Sequence, residues 1–292
     1  MLSAVGCRHR RQRLWNLLNP KPMGDWLCLV DPIHVNYLSG FCVDPISLNA
    51  GFGAMLLVRS DGHARLVCEN RLKSYADAAH VDERVVLPWY DGQSPGIGPR
   101  QLAIWNVVDA GPPPSFLPAL GESWLGGHDR PGNPLASALI NTIARMRRQK
   151  DPDEIALLRQ CMRATDAGHA WARANVKAGM TELDVYNGIV AACNRDARKA
   201  VIVYGDFAVS PGPDRRGGPA TTRVLNPGDM LILDFSVVID GYRSDFTNTL
   251  CVGGQPNADQ RRLYDLAVQA LASGETCLRS GAACLEVYRA VR

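Results

Sequence analysis

Two aspartates stand where the sequence would sooner carry apolar residues: Asp234 and Asp245, in the stretch LILDFSVVIDGYRSDFTNTL at 231–250. The apolar, β-branched runs around Asp240-Gly241 predict a hairpin, because that dipeptide accepts the left-handed backbone of a two-residue turn. Pairing outward from the turn sets Asp234 opposite Thr247 and Asp245 opposite Ser236. The aspartates are then diagonal neighbours on one face, with Cβ atoms about 7 Å apart or less. Leu233, Phe235, Val237 and Phe246 fall on the other face and supply its packing. Two carboxylates this close repel and lose hydration, which raises the pKa of each and destabilises the fold. A divalent cation resolves both problems, and two cations about 3.5 to 4 Å apart can activate a water for hydrolysis. Thr247 and Ser236 are placed to hydrogen-bond the carboxylates or a metal-bound water. The same geometry also fits a plainer reading, in which Asp234, Ser236, Asp245 and Thr247 form the solvated face of an antiparallel hairpin.

No other chemistry competes well with this pair. The histidines, at 9, 34, 63, 80, 128 and 169, form no ligand spacing; His169 reads as a packed helix residue and His63 as an exposed one beside a turn. The nine cysteines are odd in number and never spaced Cys-x-x-Cys, so they read as reduced cytosolic thiols and the chain as cytoplasmic. Walker-type loops, nucleophile elbows and His-Glu-x-x-His are all absent. The 292 residues, 46% hydrophobic and 21% charged, have the composition of a soluble globular protein. A net charge of +3 with scattered basic residues predicts neither a nucleic-acid nor a membrane partner, and RHRRQR at 8–13 reads as a solvated helix end. Neither a signal peptide nor a transmembrane-length apolar run is visible.

Elements of both periods must position the hairpin. The first half reads as a helix at RRQRLWNLL, strands at WLCLV and HVNYLSGF, a hairpin at AMLLVRSDGHARLVC and a strand in DERVVLPWYDG. QLAIWNVV is short enough to be strand or helix, DAGPPPSFLP is a loop, and NPLASALINTIARMRRQ is a helix. A new domain is expected to start at 148. Asp151 caps a helix with Pro152 in its first turn and Glu154 completing a capping box, and Ile155, Leu158, Met162 and Thr165 line its buried face. TELDVYNGIVAACNRDA repeats the design with Thr181 and Asp184. VIVYGD is a strand before a Gly/Pro-rich loop, and two amphipathic helices follow the Asp234–Asp245 hairpin.

The run LDFSVVIDGYRSDFTNT resembles the metal-binding hairpin of the pita-bread metallopeptidases, the family of methionine aminopeptidase, aminopeptidase P, prolidase and creatinase. Its two aspartates lie eleven residues apart, as in that family. NPGD at 226–229, DPDEIALLRQC at 151–161 and AGMTELDVY at 178–186 are similar to the family's flanking motifs, and HVNYLSGF and VLPWYDG look like its N-terminal domain. The resemblance implies an α/β (α+β) fold: a creatinase/prolidase-like N-terminal domain over 1–147, then the first half of a pita-bread domain over 148–292. It implies two divalent metal ions, Mn, Co or Zn, with Asp234 and Asp245 among their ligands. It further implies a peptide substrate attacked by a metal-bridged hydroxide, and a homodimer.

The family's later ligands, a histidine and two glutamates, have no counterpart, since no histidine follows His169. The chain therefore reads as C-terminally truncated, with an incomplete metal site and an apolar sheet face left uncovered. Gly217 and Gly218 stand near the place where proline-specific members carry a histidine, which leaves Xaa-Pro preference open. Two expectations follow from the resemblance. One is a metal-dependent peptidase of the Xaa-Pro aminopeptidase/dipeptidase type, impaired by truncation. The other is a non-catalytic binding or oligomerisation module, or a creatinase-like hydrolase that works without metal.

Overall fold

The computed structural model describes residues 1–19, 21, 26–43, 53–87, 125–128, 135–209 and 217–292, the backbone alone at 125–128. The segments read from sequence as QLAIWNVV, DAGPPPSFLP and PWYDG lie outside the described residues. Backbone contacts divide the chain into two compact units, 1–161 with 238–243, and 162–237 with 244–292. Helices and sheets of both kinds are present, and the fold class is mixed α/β.

In the first unit, α1 (Ala4–Leu17), α2 (Pro32–Ser39), α3 (Lys73–Ala78) and α4 (Ala136–Met146) accompany a five-stranded sheet. Its order is β4 (Glu83–Leu87), β3 (Ala64–Glu69), β2 (Ala54–Arg59), β1 (Trp26–Leu29) and β5 (Leu125–His128). β1–β2 and β2–β3 are antiparallel; β3–β4 and β1–β5 are parallel. Alternate strand residues Leu27, Leu29, Leu56, Val58 and Leu66 meet Leu14, Leu38, Leu139 and Ile143 of the helices in one apolar core. β1, β2 and β3 are buried at nearly every position, so they lack the alternation of a half-exposed strand, whereas β4 alternates between half-buried and exposed.

Three expectations for this unit need correction. HVNYLSGF is helical, because Asp31 caps the backbone N–H groups of Ile33 and His34, Pro32 starts the first turn, and Gly40 at φ 71° ends the helix. RHRRQR is no solvated end: the side chains of Arg10 and Arg11 are buried. Arg11 donates to the carbonyls of Gly62, Leu38 and His80 at 2.7, 2.9 and 3.0 Å. Arg10 donates to Tyr37 O at 2.7 Å and grips Asp153 with two nitrogens at 2.9 and 3.1 Å. Buried guanidinium groups are tolerated only with such partners. β5 was not anticipated, since LGGH carries too little apolar or β-branched character to mark a strand.

The helix α5 (Pro152–Asn175) begins as expected, with the Glu154 carboxylate accepting from Asp151 N–H at 2.8 Å. The Asp151 carboxylate is turned to Arg13 and Arg10 instead of capping the helix. Its buried face is carried by Leu157, Cys161, Ala164, Thr165 and His169, while Ile155 is exposed. Thr165 is buried as expected, and Leu157 and Cys161 rather than their neighbours Leu158 and Met162 carry the rest of the face, a shift of one position.

In the second unit, α6 (Glu182–Ala197) starts at the predicted Thr181–Asp184 capping box. Glu182, buried, accepts from Val209 N–H, Thr221 N–H and the Thr221 hydroxyl, at 2.9, 3.1 and 2.6 Å. A second sheet orders β6 (Ile202–Asp206), β7 (Met230–Ile239) and β8 (Tyr242–Arg243), with β9 (Phe246–Cys251) also paired to β7. Gly205 lies so close to β7 that a Cβ there would stand 2.1 Å from Asp234 O. Helices α7 (Ala258–Cys277) and α8 (Cys284–Val291) follow, the first with an Asn257–Gln260 capping box.

Candidate metal centre

The hairpin adopts the expected register. Asp240 at φ 50° and Gly241 at φ 80° form the turn, Ile239 pairs with Tyr242, and Asp234 pairs with Thr247. Leu233, Phe235 and Val237 are buried on one face. Phe246, expected to pack with them, is 41% exposed and sits at the margin of that face. On the other face Asp234 is half-buried, Ser236 buried, and Asp245 and Thr247 exposed. Asp245 belongs to no strand: the ladder of β7 with β9 stops at Phe235–Phe246, and that of β7 with β8 resumes at Val238–Arg243. Both ladders keep one register, so Asp245 still stands at the position facing Ser236.

His169 is a packing residue, as the sequence suggests. Its ring stacks on Phe235 at 4.6 Å between centroids and meets Phe246 edge-on at 5.2 Å, on the face away from Asp234. Burial, helped by the charge of Arg173, lowers its pKa to about 4. The imidazole is therefore neutral at physiological pH, and its Nε2 has no hydrogen-bond partner among the described residues. Phe207 stacks on Phe235 in turn, at 5.3 Å, and Tyr186 meets Phe207 at 5.0 Å. This aromatic row makes the Asp234 strand rigid from behind.

The turn is held by groups that sequence reading overlooked. Asn36 Nδ2 donates to Asp240 O at 3.0 Å, and the Tyr242 hydroxyl donates to buried Glu154 at 2.8 Å. Burial, then the Glu154 charge and this hydrogen bond, push the Tyr242 phenol far above its ordinary value. A tyrosine directly after an Asp-Gly turn was the available signal.

Two carboxylates on partly exposed positions of a rigid hairpin suit a hard divalent cation, which takes oxygen donors. Among the described residues the Asp234 carboxylate makes no hydrogen bond or ion pair. No group of three or more His, Cys, Asp or Glu side chains able to hold a metal occurs among the described residues. Asp234 and Asp245 thus fit as part of a ligand set. No helix of the described residues is long and apolar enough to cross a membrane.

Comparison with known proteins places the fold among peptidases. Residues 156–292 match the family model described as metallopeptidase family M24. An uncharacterized peptidase of Staphylococcus aureus is 28% identical over 145 residues, 48% of this chain and 40% of the relative. The Xaa-Pro aminopeptidase of Escherichia coli is 28% identical over 149 residues, 50% of this chain and 33% of the relative. The chain matches 40% or less of the length of these curated relatives. Among solved structures, a prolidase from Thermococcus sibiricus superposes with a TM-score of 0.66 at 17% identity, over 97% of this chain and 76% of that one. A variant of Escherichia coli aminopeptidase P gives 0.64 at 19% identity, over 99% and 72%. The chain has the fold of the prolidases and aminopeptidases P, and its residues 156–292 match the metallopeptidase family M24.

Proposed function

We propose that this chain derives from a peptidase that removes N-terminal residues or cleaves dipeptides, with Asp234 and Asp245 as two of its metal ligands. The observation that carries the reading is the hairpin itself: Asp234 in a ladder, paired with Thr247, and Asp245 just outside it, within the family-matched segment. Divalent metal ions, Mn, Co or Zn, supply a Lewis acid that activates water for attack on a peptide carbonyl. The chain's own residues hold and orient. Asp234 and Asp245 provide carboxylate oxygens, Thr247 and Ser236 are placed to hydrogen-bond them, and the Phe235–His169 stack fixes the strand. A domain boundary near 148 and a cytoplasmic location complete the proposal.

Two ligands do not close a metal site, which favours weak binding and an impaired enzyme for this chain by itself. Purified protein is expected to bind Mn or Co weakly and to show little or no cleavage of Xaa-Pro peptides. Stoichiometric metal with steady cleavage, both abolished by Asp245→Ala, would contradict the impairment. The second reading, a non-catalytic association module, is favoured by one observation: Leu263, Tyr264, Leu271, Leu285 and Tyr288 of α7 and α8 are exposed.

A further inference from the structure

We propose that Ser244, held in place by Thr165, is the positioning residue that takes Asp245 out of the strand ladder and fixes the direction of its carboxylate toward a divalent cation. The inference rests on the reading of Asp234 and Asp245 as metal ligands, and it gives a role to two residues that are not themselves ligands.

The argument begins with one missing backbone bond. In an antiparallel ladder two facing residues exchange N–H···O=C bonds in both directions. At Val237 and Ser244 only one of these is made: Ser244 N–H donates to Val237 O at 3.1 Å. The Val237 N–H turns to the Ser244 hydroxyl, at 2.8 Å. The serine side chain thus stands in for its own carbonyl, and the peptide linking Ser244 to Asp245 leaves the ladder. A bulge would add a residue and shift the pairing. Here the register is unchanged, since Phe235–Phe246 and Val238–Arg243 straddle the turn alike.

The hydroxyl is not left to choose its own rotamer. Thr165 Oγ1 of α5 lies 2.6 Å from Ser244 Oγ, and both residues are buried. Helix α5 therefore grips the hairpin one residue before Asp245. An alanine at 244 would leave the Val237 N–H a backbone carbonyl as its nearest available acceptor, drawing the chain back into the ladder and rotating Asp245. A valine at 165 would remove one of the two partners of the buried Ser244 hydroxyl, which is costly in itself. The two candidate ligands are then held by different devices. Asp234 is aimed by the ladder, Asp245 by a side chain that interrupts it.

The test is a titration of the full chain with Mn²⁺, following free Mn²⁺ by electron paramagnetic resonance well below the unfolding temperature. Groups that orient metal ligands typically change metal affinity about 10- to 100-fold when removed. Ser244→Ala and Thr165→Val are each expected to weaken Mn²⁺ binding about tenfold, whereas Thr165→Ser, which keeps the hydroxyl, restores it to within about twofold. Circular dichroism identifies any variant that fails to fold, and the Thr165 pair tests the idea without altering the hairpin. Wild-type affinity in Ser244→Ala and Thr165→Val, with binding lost in Asp245→Ala, overturns this inference alone. Wild-type affinity in Asp234→Ala and Asp245→Ala overturns the metal reading on which it rests.

Discussion

Charges buried in this molecule are satisfied by groups distant in sequence, and that shapes its response to pH. Although burial alone would raise it, hydrogen bonds from Arg10 and from Ser3 hold the Asp153 carboxyl well below the usual carboxylate range. A carboxylate whose folded pKa is depressed stabilises the fold above its unfolded pKa, about 3.9, and loses that contribution as pH falls below it. Urea midpoints should therefore drop between about pH 5 and pH 3, and less steeply in Asp153→Asn. Removing the other partner is more damaging, because Arg10→Ala leaves Asp153 without its buried cation. A loss of about 3 kcal/mol is expected from denaturation curves. His169 acts in the same sense, starting from a higher pH. Its folded pKa of about 4 lies below the unfolded value, so the neutral ring's contribution is complete above about pH 6.5 and fades as pH falls toward 4. The His169 ring resonances should show no titration between pH 8 and pH 6 in NMR; a midpoint near 6.5 would contradict the packing described.

Elements explain which parts of the fold could be read from sequence. The capping box at Thr181 and the Asp-Gly hairpins are written in local chemistry, and the structure forms them as expected; the Asn257–Gln260 box is equally local but was not anticipated. The register of the Asp234 strand followed from its turn alone. What resisted reading depends on partners far along the chain. The buried arginines of α1 look like a solvated run until Tyr37, Gly62 and Asp153 are placed around them. Helix α2 was mistaken for a strand because its apolar residues outweighed the Asp31-Pro32 start and Gly40 stop that frame it. The interruption at Ser244 was invisible, since it depends on Thr165 in another element. Contact between α5 and α6 offers a direct check. Gly188 faces Trp171 so closely that an added Cβ would stand 1.9 Å from the indole ring. Gly188→Ala should cost about 1–3 kcal/mol by forcing the helices apart, measured as a lower urea midpoint. An unchanged midpoint would mean that this helix pair adjusts freely.

Taken as a whole molecule, the described residues combine a well-filled core with apolar surface at the C-terminal end. That surface lies on and beside helices α7 and α8, where Leu263, Leu271, Leu278 and Tyr288 are each more than half exposed. Exposed apolar area of this kind promotes association. Sedimentation of the full chain should reveal self-association at micromolar concentration that Leu263→Glu with Leu271→Glu reduces. Monomeric behaviour of the unaltered chain would contradict it. The central claim concerns the hairpin, and anomalous diffraction from crystals soaked in Mn²⁺ tests it most directly. A peak between the carboxylates of Asp234 and Asp245, within about 2.5 Å of an oxygen of each, is the predicted result. Manganese bound elsewhere while the hairpin stays empty at saturating concentration would contradict the account.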